Sequence, residues 1–208
     1  MKLYVEGGGD SKGLKIACRK GFSEFLKKVA SLKGKMPRIV ACGSRQNAYK
    51  SYCMAIQSGE DALVLVDSEA PVAANCRQDN CPSCWKPWQH LKKCQGDQWE
   101  KPYRGRDKDC HLMVQCMEAW FLADRKALQG FFKQGFNENA LPSQEKEIES
   151  VDRKNIYKSL SKATKYCKTK TQYDKGKHSF QILACISPDL IAAASPWAKR
   201  FLDILKGK

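Results

Sequence analysis

The chain has 208 residues, 42% hydrophobic and 28% charged, a balance that excludes disordered and fibrous classes and is long enough for a self-supporting core. Lys and Arg outnumber Asp and Glu by 37 to 22, a net charge of +15 that points to an anionic partner, most often nucleic acid. No apolar run approaches the roughly 18–20 residues of a bilayer span, and the start Met1–Glu6 lacks the apolar stretch of a signal peptide, so a cytoplasmic protein with no membrane partner is expected.

The first predicted element is a strand over Lys2–Val5, stopped by Gly7-Gly8-Gly9. Ser11 can cap a helix in which Leu14, Cys18, Phe22, Phe25, Leu26 and Val29 recur at helical spacing. Arg38–Cys42 reads as a second strand, Arg45–Gln57 as a second helix and Ala62–Val66 as a third strand, apolar at every position. Continuous apolarity implies burial on both faces, as in a parallel sheet. Strands alternating with helices imply an α/β fold with a mostly parallel, Rossmann-like sheet flanked by helices. We take residues 1–69 as its core.

Residues 70–109 hold four prolines, three tryptophans and four cysteines, and are expected to form an irregular insertion with one short helix near Trp88–Lys93. Residues 110–208 complete the core and add a basic helical part. Regular structure resumes at His111–Asp124, residues 137–150 read as a loop, and helices are expected at Lys154–Cys167, His178–Ile186 and Trp197–Leu205. The segment Arg153–Lys177 carries nine basic residues and one acid. Lys158, Lys162 and Lys165 are its candidate nucleic-acid contacts, a solvated face being the plainer explanation.

Glu6 follows the first strand, and Asp67 and Glu69 follow the third. In a parallel sheet both strand ends lie on one edge, where ligands of such folds bind. Three converging carboxylates repel one another unless a cation or proton intervenes, and Mg²⁺ or Mn²⁺ suits an all-oxygen set beside phosphate. Gly7, Gly8 and Gly9 could bring main-chain amides close to a phosphate, with Asp10 as an auxiliary ligand. The glycines lack the spacing of a dinucleotide fingerprint.

Val5-Glu6-Gly7-Gly8-Gly9-Asp10 and Leu65-Val66-Asp67-Ser68-Glu69 resemble the Toprim pattern of topoisomerases, primases and OLD-type nucleases. With His111–Asp124 and Lys175–Phe180 added, the whole chain resembles a bacterial family of uncharacterised Toprim-like proteins, found beside AAA- or ABC-type ATPases in phage-defence and abortive-infection loci. The resemblance implies a metal-dependent nuclease-like site: Glu6 and Asp67 as metal ligands, Glu69 as the third, and Glu118 as a second-metal ligand. It also implies Lys177 stabilising phosphate charge, and an ATPase partner in antiviral defence. Glu69 departs from the commoner Asp at its position. A non-catalytic nucleic-acid-binding or regulatory subunit of an ATPase complex is the alternative, and a nucleotide-binding domain a third. Self-assembly into an oligomer is open.

The chain has eleven cysteines. Cys18, Cys42, Cys53, Cys116, Cys167 and Cys185 read as small buried hydrophobes. Cys76-x4-Cys81-x2-Cys84-x9-Cys94 has the half-site spacing of a structural Zn²⁺; reduced thiols and a disulfide are the other readings.

Overall fold

The structure, a computed structural model, describes residues 1–78 and 81–208. Its first half runs β1 (Lys2–Gly8), α1 (Lys12–Lys27), β2 (Arg38–Gly43), α2 (Arg45–Gln57) and β3 (Ala62–Asp67). Next come α3 (Pro87–Lys93), β4 (Cys110–Met113), a 3-10 segment over Met117–Ala123, and α4 (Arg125–Phe132). The chain ends in α5 (Arg153–Ala163), α6 (Lys175–Cys185), α7 (Pro188–Ala194) and α8 (Pro196–Lys206). Ser11 and Ser44 start α1 and α2, their hydroxyls accepting the N–H groups of Leu14 and Asn47, as N-caps do.

All strand pairs are parallel, in the order β2-β1-β3-β4. The fold is α/β with a helical C-terminal part, as expected. β2 lies on one side of β1 and β3 on the other, so the chain reverses its travel across the sheet between β1 and β3. Such a switch point leaves a crevice beyond the carboxyl ends of the two strands.

β3 is buried at every residue, and its alternating side chains feed two cores. Leu63 and Leu65 face a cluster with Phe22, Phe25, Trp120 and Phe201. Ala62, Val64 and Val66 face Ala48, Tyr52, Trp88 and Trp99. The 70–109 segment is therefore half of the sheet's cover rather than a loose excursion. Trp99 stacks on Tyr49 with ring centroids 4.7 Å apart, and Trp88 on Tyr52 at 5.7 Å. The buried Arg200 of α8 donates to the main-chain oxygens of Pro82, Asp107 and Cys110.

Two helices were not legible in the sequence. α4 and α7 have eight and seven residues, too short for an apolar stripe to repeat; their caps, Asp124 and Ser187, were the available signals. Among the described residues, no helix is long and apolar enough to cross a membrane.

Candidate metal centre

Glu6 extends β1 and Asp67 closes β3, so adjacent parallel strands deliver both to the switch-point crevice. Glu69 follows after one residue, on a left-handed backbone with φ 63°, a conformation that a non-glycine residue adopts at a cost and that recurs at functional sites. One carboxylate oxygen from each of the three lies within 4.8 Å of the others. Glu6 and Asp67 line a cavity of about 200 Å³ with Gly7, Gly8, Gly9, Gly43, Glu118 and Lys175, and Glu69 stands outside that lining. Gly8 is required there: its φ is +89°, and a Cβ would stand 2.8 Å from the Lys15 main chain.

Glu6 and Asp67 each have a fixed and a free side, whereas both oxygens of Glu69 face arginines. Glu6 Oε2 accepts the Asp67 N–H at 2.9 Å and Asp67 Oδ1 the Met117 N–H at 2.8 Å, and among the described residues no donor reaches Glu6 Oε1 or Asp67 Oδ2. Burial, then the charges of Glu6 and Glu118, hold the Asp67 carboxyl well above the usual range. Burial also raises that of Glu6, against the pull of Arg45. A proton or a cation relieves such a cluster.

Three cations absent from the sequence reading meet these acids. Arg45, first residue of α2, donates to the Asp67 main-chain oxygen and to Asp97, and its Nη1 stands 3.9 Å from both Glu6 and Glu69. Arg153, first residue of α5, pairs with Glu69. Lys175, first residue of α6, lines the cavity 3.8 Å from Glu118. Five carboxylates (Glu6, Asp67, Glu69, Asp97, Glu118) against three cations leave −5 + 3 = −2, the charge that one divalent ion balances. The donors are hard oxygens, which fit Mg²⁺ or Mn²⁺. Arg45 had a signal: it stands just past the end of β2, on the edge where ligands bind. Arg153 had none.

Glu118 is not placed as a second-metal ligand. It is fully buried, and both its oxygens are engaged. Oε1 accepts from Ser179 Oγ at 3.0 Å and Tyr173 Oη at 3.2 Å, and Oε2 from Tyr157 Oη at 3.2 Å. Tyr157 Oη in turn accepts from Lys175 Nζ at 2.8 Å. Burial and the Glu118 charge push both phenols up, so each stays a hydroxyl donor.

Other expected residues lie elsewhere. Asp10 is exposed, outside the carboxylate group and the cavity lining. Lys177 is exposed and also outside the lining, its N–H capped by Asp174; the lysine at the site is Lys175. Lys158, Lys162 and Lys165 are exposed. The four insertion cysteines do not meet at one point. Cys81 and Cys84 form a disulfide, which offers a metal no thiolate. Cys76 Sγ lies against Asn75 and Gln89, and Cys94 Sγ against Ser68 O and His90 Nε2. Of the scattered cysteines, Cys18, Cys42 and Cys116 are buried as expected, whereas Cys53 and Cys167 are half-buried and Cys185 is exposed.

A family model described as Domain of unknown function (DUF4276) matches residues 5–206, nearly the whole chain and every residue of this centre. No curated protein and no solved structure matches.

Proposed function

The chain belongs to the DUF4276 family, and on that premise we propose that it is a metal-dependent phosphodiesterase of Toprim type acting on nucleic acid. One observation carries this reading: three carboxylates from two adjacent parallel strand ends converge within 4.8 Å beside a glycine-lined cavity. Glu6, Asp67 and Glu69 would hold Mg²⁺ or Mn²⁺, which when bound supplies Lewis acidity and counter-charge at a phosphodiester. Lys175 stands on the same cavity as the cation for a phosphoryl oxygen, and the glycine turn allows main-chain amides close approach. Glu6 Oε1, free of donors, is the proton acceptor for an attacking water. Tyr157 and Tyr173 lie behind Glu118, outside the cavity lining, and stay protonated, which favours hydrolysis over transfer to a tyrosine. The ATPase partner and the setting in antiviral defence rest on the sequence resemblance alone.

A second reading, a non-catalytic subunit that binds nucleic acid or an ATPase, is favoured by one contact: Arg153 already pairs with Glu69, so the chain itself meets part of the charge. The test is incubation of labelled DNA and RNA pools with each metal, with and without a candidate ATPase. Cleavage by the wild type and none by Asp67→Asn is expected. Tight binding without cleavage under every condition would transfer the argument to the second reading.

A further inference from the structure

Helix α5 leaves the carboxylate centre as a one-sided cationic rod. Its first residue, Arg153, pairs with Glu69, and one turn later Tyr157 reaches Glu118. Its outer face carries Lys154, Lys158 and Lys162, at i, i+4 and i+8, and Lys165 follows past the C-cap; all four are exposed. Residues four apart share a helix face and stand about 6 Å apart along the axis, close to the repeat of an extended sugar-phosphate backbone. Among the described residues no carboxylate pairs with any of the four, as with several other surface lysines of the chain.

The row ends at Tyr166, a residue 70% exposed. The backbone around it is held. Lys168 N–H donates to Gln134 O and Asn137 N–H to Ala163 O, and Gly135 packs so close that a Cβ would overlap the Tyr166 carbonyl. Lys165 Nζ sits 5.2 Å from the ring centroid. An exposed ring on a held backbone, with cations beside it, is what base stacking needs.

We propose that the outer face of α5 and the turn after it, from Lys154 to Tyr166, is the track of a single-stranded nucleic acid leading into the carboxylate cavity, with Tyr166 stacking on one base. This rests on the reading of the centre as a nucleic-acid site and names its substrate class. Along a duplex the base faces stay within its own stack, and only its two ends offer Tyr166 one to cover. A cavity of about 200 Å³ takes a single phosphodiester, not a double helix.

The test measures binding of a labelled homopolymer strand of about 12 nucleotides, and of a blunt duplex of equal length, in EDTA. The strand should bind at least tenfold more tightly than the duplex. Tyr166→Ala should weaken strand binding about tenfold and Tyr166→Phe should restore it. Lys158→Ser with Lys162→Ser should reduce the salt slope by about 1.4. Equal affinity for duplex, or no loss in Tyr166→Ala, would overturn the track. EDTA separates the two ideas. A strand bound through Tyr166 but never cut in Mg²⁺ removes the phosphodiesterase and leaves the track. A strand cut in Mg²⁺ whose binding ignores Tyr166 does the reverse.

Discussion

Glu6 Oε2 accepts the main-chain N–H of Asp67 at 2.9 Å, so a carboxylate near the end of β1 is tied to the backbone that ends β3. Glu6 thus has a structural oxygen and a free one. Glu6→Gln keeps the acceptor and should fold with near wild-type stability while losing cleavage. Glu6→Ala also strands a buried N–H and should cost about 1–3 kcal/mol more. Urea denaturation beside the cleavage assay separates the two roles; equal stability of both variants would remove the structural one.

Asp67 is the most burdened acid of the centre, its carboxyl raised by burial and by Glu6 and Glu118. Asp67→Asn relieves that repulsion without changing shape. The variant should lose cleavage, lose any thermal shift on adding Mg²⁺, and melt above metal-free wild type by roughly 2–4 °C for each kcal/mol relieved. Glu69→Gln should hurt cleavage less, because Arg45 and Arg153 already meet Glu69. Persistent cleavage in Asp67→Asn would mean that the centre has been misplaced.

Glu118 anchors three separate segments, through Tyr157 of α5, Tyr173 of the connecting turn and Ser179 of α6. Its removal takes the counter-charge from Lys175 and strands the hydroxyl of Tyr157 and one of the Tyr173–Ser179 pair. Glu118→Ala should cost about 2–4 kcal/mol through the buried donors it strands, and Tyr173→Phe about 1 kcal/mol. The denaturation midpoints of the two variants test this ranking, and a milder effect for Glu118→Ala would contradict the anchoring role.

All three histidines are held below their ordinary pKa, His111 the most, by burial and then by the charge of Arg200. Folded histidines of this kind stay neutral while the unfolded chain gains protons below about pH 6.5. Their contribution is therefore complete above that value and is lost as pH falls beneath it. Glu6, Asp67 and Glu149 are shifted upward and act in the opposite sense, so the isolating measurement is a difference. Between pH 7 and 5, stability should fall less steeply in His111→Gln than in wild type, by up to about 1.4 kcal/mol per pH unit for one proton. Parallel curves would show that His111 takes its proton while folded.

The Cys81–Cys84 bond leaves nine free cysteines. Thiol titration in denaturant without reductant should count nine, and elemental analysis should find no zinc bound by the insertion. Eleven thiols with one zinc per chain would instead support the four-thiolate site suggested by the Cys-x2-Cys spacing.

What the sequence by itself determined is what local chemistry encodes. Ser11 and Ser44 mark where helices start, the unbroken run Ala62–Val66 marks a strand buried on both faces, and alternating strands and helices put Glu6 and Asp67 on one edge. The tertiary structure decided the rest. Only the order β2-β1-β3-β4 makes β1 and β3 neighbours, and it depends on which helix faces pack together. Lys175 and Lys177 sit in one basic run and look interchangeable, but two residues are about 200° of helix, so one of them turns away from the cavity. That phase is set where α6 lies against α1. Gly21 has no side chain there, and a Cβ on it would press within 2.6 Å of Phe180 O. The two residues are 159 positions apart, and no periodicity within either helix specifies their contact.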